Sequence, residues 1–232
     1  ISENSVLNIN LNTSVRDRSP AFNPFGFFSE NATGIIGMDA IIGSINKAKK
    51  DEKIKGIRLS SGLISSGWAQ AREIRNCLNE FKKSGKFIYA YSTYFNKTSY
   101  YLASVSDSVF MYPTGMLELS GLSSTIPFFT ETMSEIGIKP EIIRHGKFKA
   151  AVEPFMLTEM SEENRQQTEI LLNDVWTSML VDISQSRQIT IEDLNKIADD
   201  LTLSMLPEKP VEKRLENNDN PPKLIVEFFD NQ

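Results

Sequence analysis

The run GKFKAAVEPF, residues 146–155, sets two lysines, Lys147 and Lys149, among Phe148, Ala150, Ala151 and Val152. Small and apolar neighbours matter because desolvation disfavours an ammonium ion. A buried lysine can fall by about 3–5 pKa units from about 10.4. A base working near neutral pH needs a fall of roughly 3, or about 4 kcal/mol. A neutral amine of that kind could take the proton of a serine hydroxyl, the lysine variant of nucleophilic acyl transfer. The plainer reading is a strand-to-helix turn whose lysines point to water. The residues alone leave both readings open. They also leave open which lysine matters, since an extended segment puts both on one face and a helix separates them.

Other chemistries are poorly provided for. One His and one Cys in 232 residues cannot build a zinc site of ordinary ligand number. The segment Gly34-Ile35-Ile36-Gly37 lacks the spacing and the following Lys-Ser/Thr of a phosphate loop. Neither a metal nor a nucleotide cofactor is expected. His145, at the end of an expected strand, reads as a hydrogen-bonded surface residue, not a triad base. Cys77 reads as a small hydrophobe on a helix face, and a single cysteine leaves the redox compartment open. A net charge of −5 and a pI near 5.1 offer no basic face to nucleic acid. No stretch approaches the roughly 18 consecutive apolar residues of a membrane span. The chain begins at Ile1 and not at Met, so it is expected to be a processed or excised piece, with any signal or anchor upstream.

The elements that must hold these residues alternate along the chain. Period-two patterning predicts a strand over 6–11, and short strands are expected over 54–59, 87–91 and 108–112, the last ended by Pro113. Helical stripes predict helices over 39–50 (Ile41, Ile42, Ile45, Ala48) and 68–83 (Ala71, Ile74, Leu78, Phe81), the second closed by Gly85. A short helix is expected over 99–104, with Tyr100, Tyr101 and Leu102 in the core. Further on come an extended stretch over 116–124, a helix over 130–136 stopped by Gly137, and a strand over 140–144 leading into His145. A long helix over 161–186 opens on Ser161-Glu162-Glu163-Asn164, close to a capping box, and carries Trp176 as a core or contact residue. A helix over 191–199 follows the N-cap Thr190. Glu153-Pro154-Phe155 is expected to mark the start of a helix. Residues 13–33 form a long polar loop with Phe22, Phe25, Phe27 and Phe28, and a last strand is expected over 224–229. Strands alternating with helices predict an α/β fold with a mainly parallel sheet and crossover helices.

GKFKAAVEPF followed by MLTEMSEENRQQTEILLNDVW resembles the lysine segment of the long form of the signal peptide peptidase A (protease IV) family. The shared features are Gly-x-aromatic-Lys-small-Ala-Val-Glu-Pro-Phe, an acidic Met-Ser segment and a helix ending in Trp. Upstream, KGIRLSSGLISSGWAQAREIRNCLNEFKKSGKFIYAYSTYFNKTSYYLASVSDSVFMYPTG is similar to that family's strand, helix, SGK, strand and YYLAS order, so that the resemblance covers about residues 5–213. It implies a ClpP/crotonase-like fold and a Ser–Lys endopeptidase that degrades cleaved signal peptides, with extended apolar peptides as substrates. It also implies a membrane-associated, extracytoplasmic (periplasmic) setting and a homo-oligomer. The family pattern puts the general base on Lys149 and leaves Lys147 at a variable position.

Two departures shape the expectation. Where short members carry the serine of Ser-Gly-Gly-Tyr-Tyr, this chain has Lys97-Thr98-Ser99-Tyr100-Tyr101, with Lys97 in the serine's place. The glycine-rich oxyanion turn is weakened to Ser60-Ser61-Gly62-Leu63. Residues 1–211 are therefore expected to be a lysine-bearing amino-terminal half, inactive alone, and 212–232 a linker or tail towards a second homologous half that supplies the serine. The alternative is a non-catalytic assembly or peptide-binding module of the same fold. A Lys149 amine in an apolar cleft without a carboxylate partner speaks for the half-enzyme, and a solvated surface lysine for the module. Such folds also host acyl-CoA chemistry, for which this sequence has no feature of its own.

Overall fold

Alternation of burial is what makes the central sheet. In the computed structural model, which describes residues 1–19, 35–143, 145–146, 148–200 and 227–228, the first strands are β1 (Ser5–Asn10), β2 (Ser14–Arg16) and β3 (Ile35–Gly37). Then come α1 (Met38–Lys50), β4 (Ile54–Ser60), α2 (Trp68–Lys82), β5 (Phe87–Phe95), α3 (Lys97–Ala103) and β6 (Ser108–Leu117). The rest comprises α4 (Thr130–Glu135), a 3-10 helix (Ala150–Phe155), α5 (Glu162–Arg187), α6 (Ile191–Asp199) and β7 (Glu227–Phe228). One parallel sheet runs β1-β4-β5-β6-β7, and β2 pairs with β3 in a small parallel ladder. The expected parallel sheet with crossover helices is present.

The chain divides into two units, 1–120 with 179–232, and 121–178. In the first unit, Ile57, Leu59, Ile88, Ala90 and Val109 turn to one face of the sheet and are buried, as are the helix stripes Ile41, Ile45 and Ala48 and Ala71, Ile74, Leu78 and Phe81. The opposite face carries Phe87, Tyr89, Tyr91, Phe110 and Tyr112 and lines, with Val6 and Arg58, a groove of about 680 Å³. Parallel sheets are ordinarily covered on both faces, and among the described residues this aromatic face is a departure.

Arg75 of α2 lies fully inside this unit. It donates to Ser104 Oγ at 2.7 Å and to the Tyr101 carbonyl from one nitrogen, and to the Asp182 carbonyl (2.7 Å) and Ser186 Oγ (2.6 Å) from another. Its guanidinium sits 4.5 Å from the Tyr101 ring centroid. Tyr101 donates to Asp182 Oδ2 at 2.6 Å, and burial, then that hydrogen bond, push its phenol well above the usual range. Tyr100, Tyr101 and Leu102 are core residues, as expected. Cys77 is half-buried, and burial raises its thiol.

Several expectations need correction. β6 runs through Pro113 and does not stop there. Ser92 pairs with Met111 and Tyr94 with Met116, so a bulge opens at 112–115 where no ladder donor is required of a proline. No strand forms over 140–143. Ile143 is fully exposed, and Pro140 supplies no ladder donor where the described residues bring no partner strand. Arg144 lies outside the described residues. Of 116–124, only 116–117 are strand. Glu153-Pro154-Phe155 closes a six-residue 3-10 helix with Pro154 near its end, not an early α-helical position. Of the polar stretch 13–33, residues 14–16 are β2, while Phe22, Phe25, Phe27 and Phe28 lie outside the described residues. So do residues 212–226. Only Glu227–Phe228 of the expected last strand are described, paired with Phe110 and Met111.

Candidate functional site

In the second unit, Gly146 takes a φ of +93°, a turn conformation that suits a residue without a Cβ. Lys147 lies outside the described residues. Lys149 is the N-cap of the 3-10 helix, with φ −110° and ψ 69°. It is exposed, and no ion pair reaches it among the described residues. Beside it, Phe148, Phe155 and Met156 are 55%, 40% and 38% exposed. The apolar surroundings expected from sequence exist, but the described residues of this chain do not close over the amine. His145 is exposed, as expected.

The end of the 3-10 helix is held firmly. The Pro154 carbonyl accepts the Phe129 amide at 2.7 Å, Thr130 Oγ1 donates to the Leu157 carbonyl at 2.6 Å, and Phe129 stacks on Phe155 at 6.1 Å. Glu153 is fully buried. Its carboxylate accepts from Ser161 Oγ, the Ser161 amide and Asn164 Nδ2 at 2.5, 3.3 and 2.9 Å. By sequence alone this residue marks only the start of a helix. The signal that could have found it is a glutamate inside an otherwise apolar segment, since a charge there needs partners.

The first unit gathers the other residues in question at the carboxyl ends of β4 and β5, where open parallel sheets place ligands. Ser99 is not poised as a nucleophile. It is fully buried, its Oγ donates to the Asn96 carbonyl at 3.0 Å, and its amide is capped by Asn96 Oδ1 at 2.8 Å. Asn96 Nδ2 also donates to the Ile64 carbonyl at 3.3 Å, tying α3 to the loop after β4. In that loop, where the oxyanion turn would lie, the Leu63 amide is taken up by Asn12 Oδ1 at 3.0 Å. A Cβ on Gly62 would come within 3.2 Å of the same oxygen.

Lys97, in the place of the family serine, donates to Ser120 Oγ at 3.3 Å, and that hydroxyl lies 3.4 Å from Glu118 Oε1. Tyr94 donates to Glu118 Oε2 at 2.7 Å. A lysine and a serine thus meet, but the order of donation runs from ammonium to hydroxyl to carboxylate. That is a bridged ion pair, the reverse of an amine taking a serine's proton.

The described residues contain no helix long and apolar enough to cross a membrane. Residues 80–207 match the sequence model of Peptidase family S49. The chain is 31% identical over 150 residues to "Protease 4" of Haemophilus influenzae, covering 64% of this chain and 24% of that protein. It is 32% identical over 148 residues to "Serine protease SPPA, chloroplastic" of Arabidopsis thaliana, covering 64% and 22%. The match to "Protease 4" of Salmonella typhi is 29% over 155 residues, covering 66% and 25%. The chain thus spans about a quarter of the length of these relatives. Among solved structures, an enoyl-CoA hydratase of Geobacillus kaustophilus is similar over 82% of this chain and 87% of that one, at 13% identity and a TM-score of 0.28. A superposition that loose carries no functional argument.

Proposed function

The chain belongs to peptidase family S49, and from that premise we propose that it is the lysine-bearing half of a Ser–Lys endopeptidase whose serine lies in another polypeptide segment. The observation that carries this reading is the match of residues 80–207 to the peptidase family, with Lys149 in the place of the family's lysine. Lys149 has no carboxylate partner among the described residues, and its own unit leaves apolar surface exposed. Among the described residues 121–178, no apolar side chain is fully buried, while Ile136, Ile138, Ile143, Phe148, Ile170 and Leu171 are half to fully exposed. Apolar surface of that kind marks a contact still to be made. A second segment packed there would supply the dry walls that a neutral amine requires.

In this mechanism the Lys149 amine takes the proton of the incoming serine as its oxygen attacks the peptide carbonyl. The C–N bond breaks and the ammonium returns a proton to the leaving amine, so an acyl-enzyme ester remains. The amine then deprotonates a water that cleaves the ester, and the serine recovers its proton. The oxyanion would be held by the serine-bearing half, since the Leu63 amide is already bonded here. Extended apolar peptides such as cleaved signal peptides are the proposed substrates, the setting is the extracytoplasmic face of a membrane, and the exposed apolar residues favour a homo-oligomer.

The test is cleavage of an apolar peptide by the complete polypeptide. Lys149→Ala is expected to abolish activity and Lys147→Ala largely to spare it. The reverse outcome overturns the assignment. A second reading, a non-catalytic assembly module, is favoured by the exposure of Lys149 in this chain and by the occupied turn at Leu63. Full activity in both variants selects it.

A further inference from the structure

The buried carboxylate of Glu153 has no part in the proton transfers above, yet the lysine turn is built on it. Ser161 is the N-cap of α5, and its Oγ accepts the Asn164 amide at 3.3 Å. In a capping box the side chain at the third helical position reaches back to the N-cap amide, satisfying a second orphan donor. Here that position is Asn164, which turns a donor inward. The acceptor for the Ser161 amide is Glu153, eight residues upstream. One carboxylate thereby takes Ser161 Oγ, the Ser161 amide and Asn164 Nδ2, at a helix end whose dipole favours negative charge. The box that starts α5 is closed by the segment that carries Lys149.

We infer that Glu153 is the positioning residue for Lys149, fixing the 3-10 helix to the first turn of α5 so that the amine at its N-cap is held in one direction. This rests on the reading of Lys149 as the base. Among the described residues the turn is fastened at its far end: Glu153 to α5 on one side, Phe129 and Thr130 of the α4 region on the other. Lys149 projects from the near end. Loss of the carboxylate takes the acceptor from the buried Asn164 side-chain amide and the part-buried Ser161 donors, and the turn must move to let water reach them.

The experiment compares Glu153→Gln, Lys149→Ala and the double variant Glu153→Gln/Asn164→Asp in the complete polypeptide, with an apolar peptide as substrate. Active enzyme is counted by fluorophosphonate titration. In the double variant the carboxylate moves to the capping-box position and the amide to 153, which restores an acceptor for the Ser161 amide. Glu153→Gln is expected to lower kcat per titrated site roughly ten- to hundredfold, as for a misplaced catalytic group. KM should stay within about twofold, and the acidic limb of the kcat profile should move to higher pH as water reaches the amine. The double variant should recover most of the loss.

A purely structural role would lower the melting temperature and the yield of active enzyme, leaving kcat per site and its pH profile unchanged. That outcome overturns the inference. If Lys149→Ala is dead while Glu153→Gln matches the parent, only the positioning role fails. If Lys149→Ala stays active, the base assignment fails and the inference with it. Should Glu153→Gln not fold, Asn164→Ala removes one donor and keeps the carboxylate. It must then show a smaller fall in kcat per site, and an unchanged kcat overturns the proposal.

Discussion

Arg75 shows how a single residue can fix a junction of elements. Its donors meet Ser104, Ser186 and the carbonyls of Tyr101 and Asp182, so truncation strands several buried acceptors and opens a void. Arg75→Ala is expected to cost about 3–5 kcal/mol, read by equilibrium urea unfolding. Arg72→Ala, one turn away and exposed, should stay within about 0.5 kcal/mol. Tyr94 gives a pH-dependent check. Its hydrogen bond to Glu118, then burial, push its phenol from 10.0 up to about 12. A phenol that ionises later in the folded than in the unfolded chain stabilises the fold fully below pH 10 and loses that contribution as pH rises from 10 to about 12. Spectrophotometric titration should show one tyrosine ionising near pH 12 that moves towards 10 in Glu118→Gln. No movement would mean that the carboxylate is not its partner.

Among the elements, α3 depends on a residue just outside the helix. Asn96 caps it through Ser99 and also reaches the Ile64 carbonyl. Asn96→Ala should destabilise the protein by about 1 kcal/mol. Asn96→Asp should recover only part of that, because a carboxylate keeps the cap and cannot donate to Ile64. Urea midpoints of the three proteins decide it, and equal midpoints would show that the cap is idle. The lysine turn follows the same logic in reverse, since α5 draws its second capping acceptor from outside itself. Both cases show sequence-local motifs completed by non-local partners.

For the whole molecule, the two units differ in kind. The first has a packed interior under one face of its sheet, whereas none of the second's described apolar side chains is fully buried. A unit without a buried apolar interior does not keep the proposed base dry. This chain alone is therefore expected to show no peptide hydrolysis and no labelling by a fluorophosphonate probe. The complete polypeptide should label at a serine outside these residues. Labelling of Ser99 or Ser120 in the isolated chain would overturn the half-site reading.

The periodic elements were legible in the sequence because burial of one face demands their spacing: the Ile41, Ile45, Ala48 stripe, the alternation through β1, and the Thr190 cap all follow from local rules. The resemblance to the family motif is what singles out Lys149 as the proposed base. Residue order does not encode the partners that arrive from afar. Pro113 looked like a strand end because its missing donor is harmless only inside a bulge set by β5. The run at 140–143 looked like a strand because pairing depends on a neighbour the chain does not bring. Glu153 looked like a helix marker because Ser161 and Asn164 meet it only once α5 folds back on the turn. Spacing along a chain reports periodic burial, while hydrogen-bond satisfaction in the interior is a property of three-dimensional proximity.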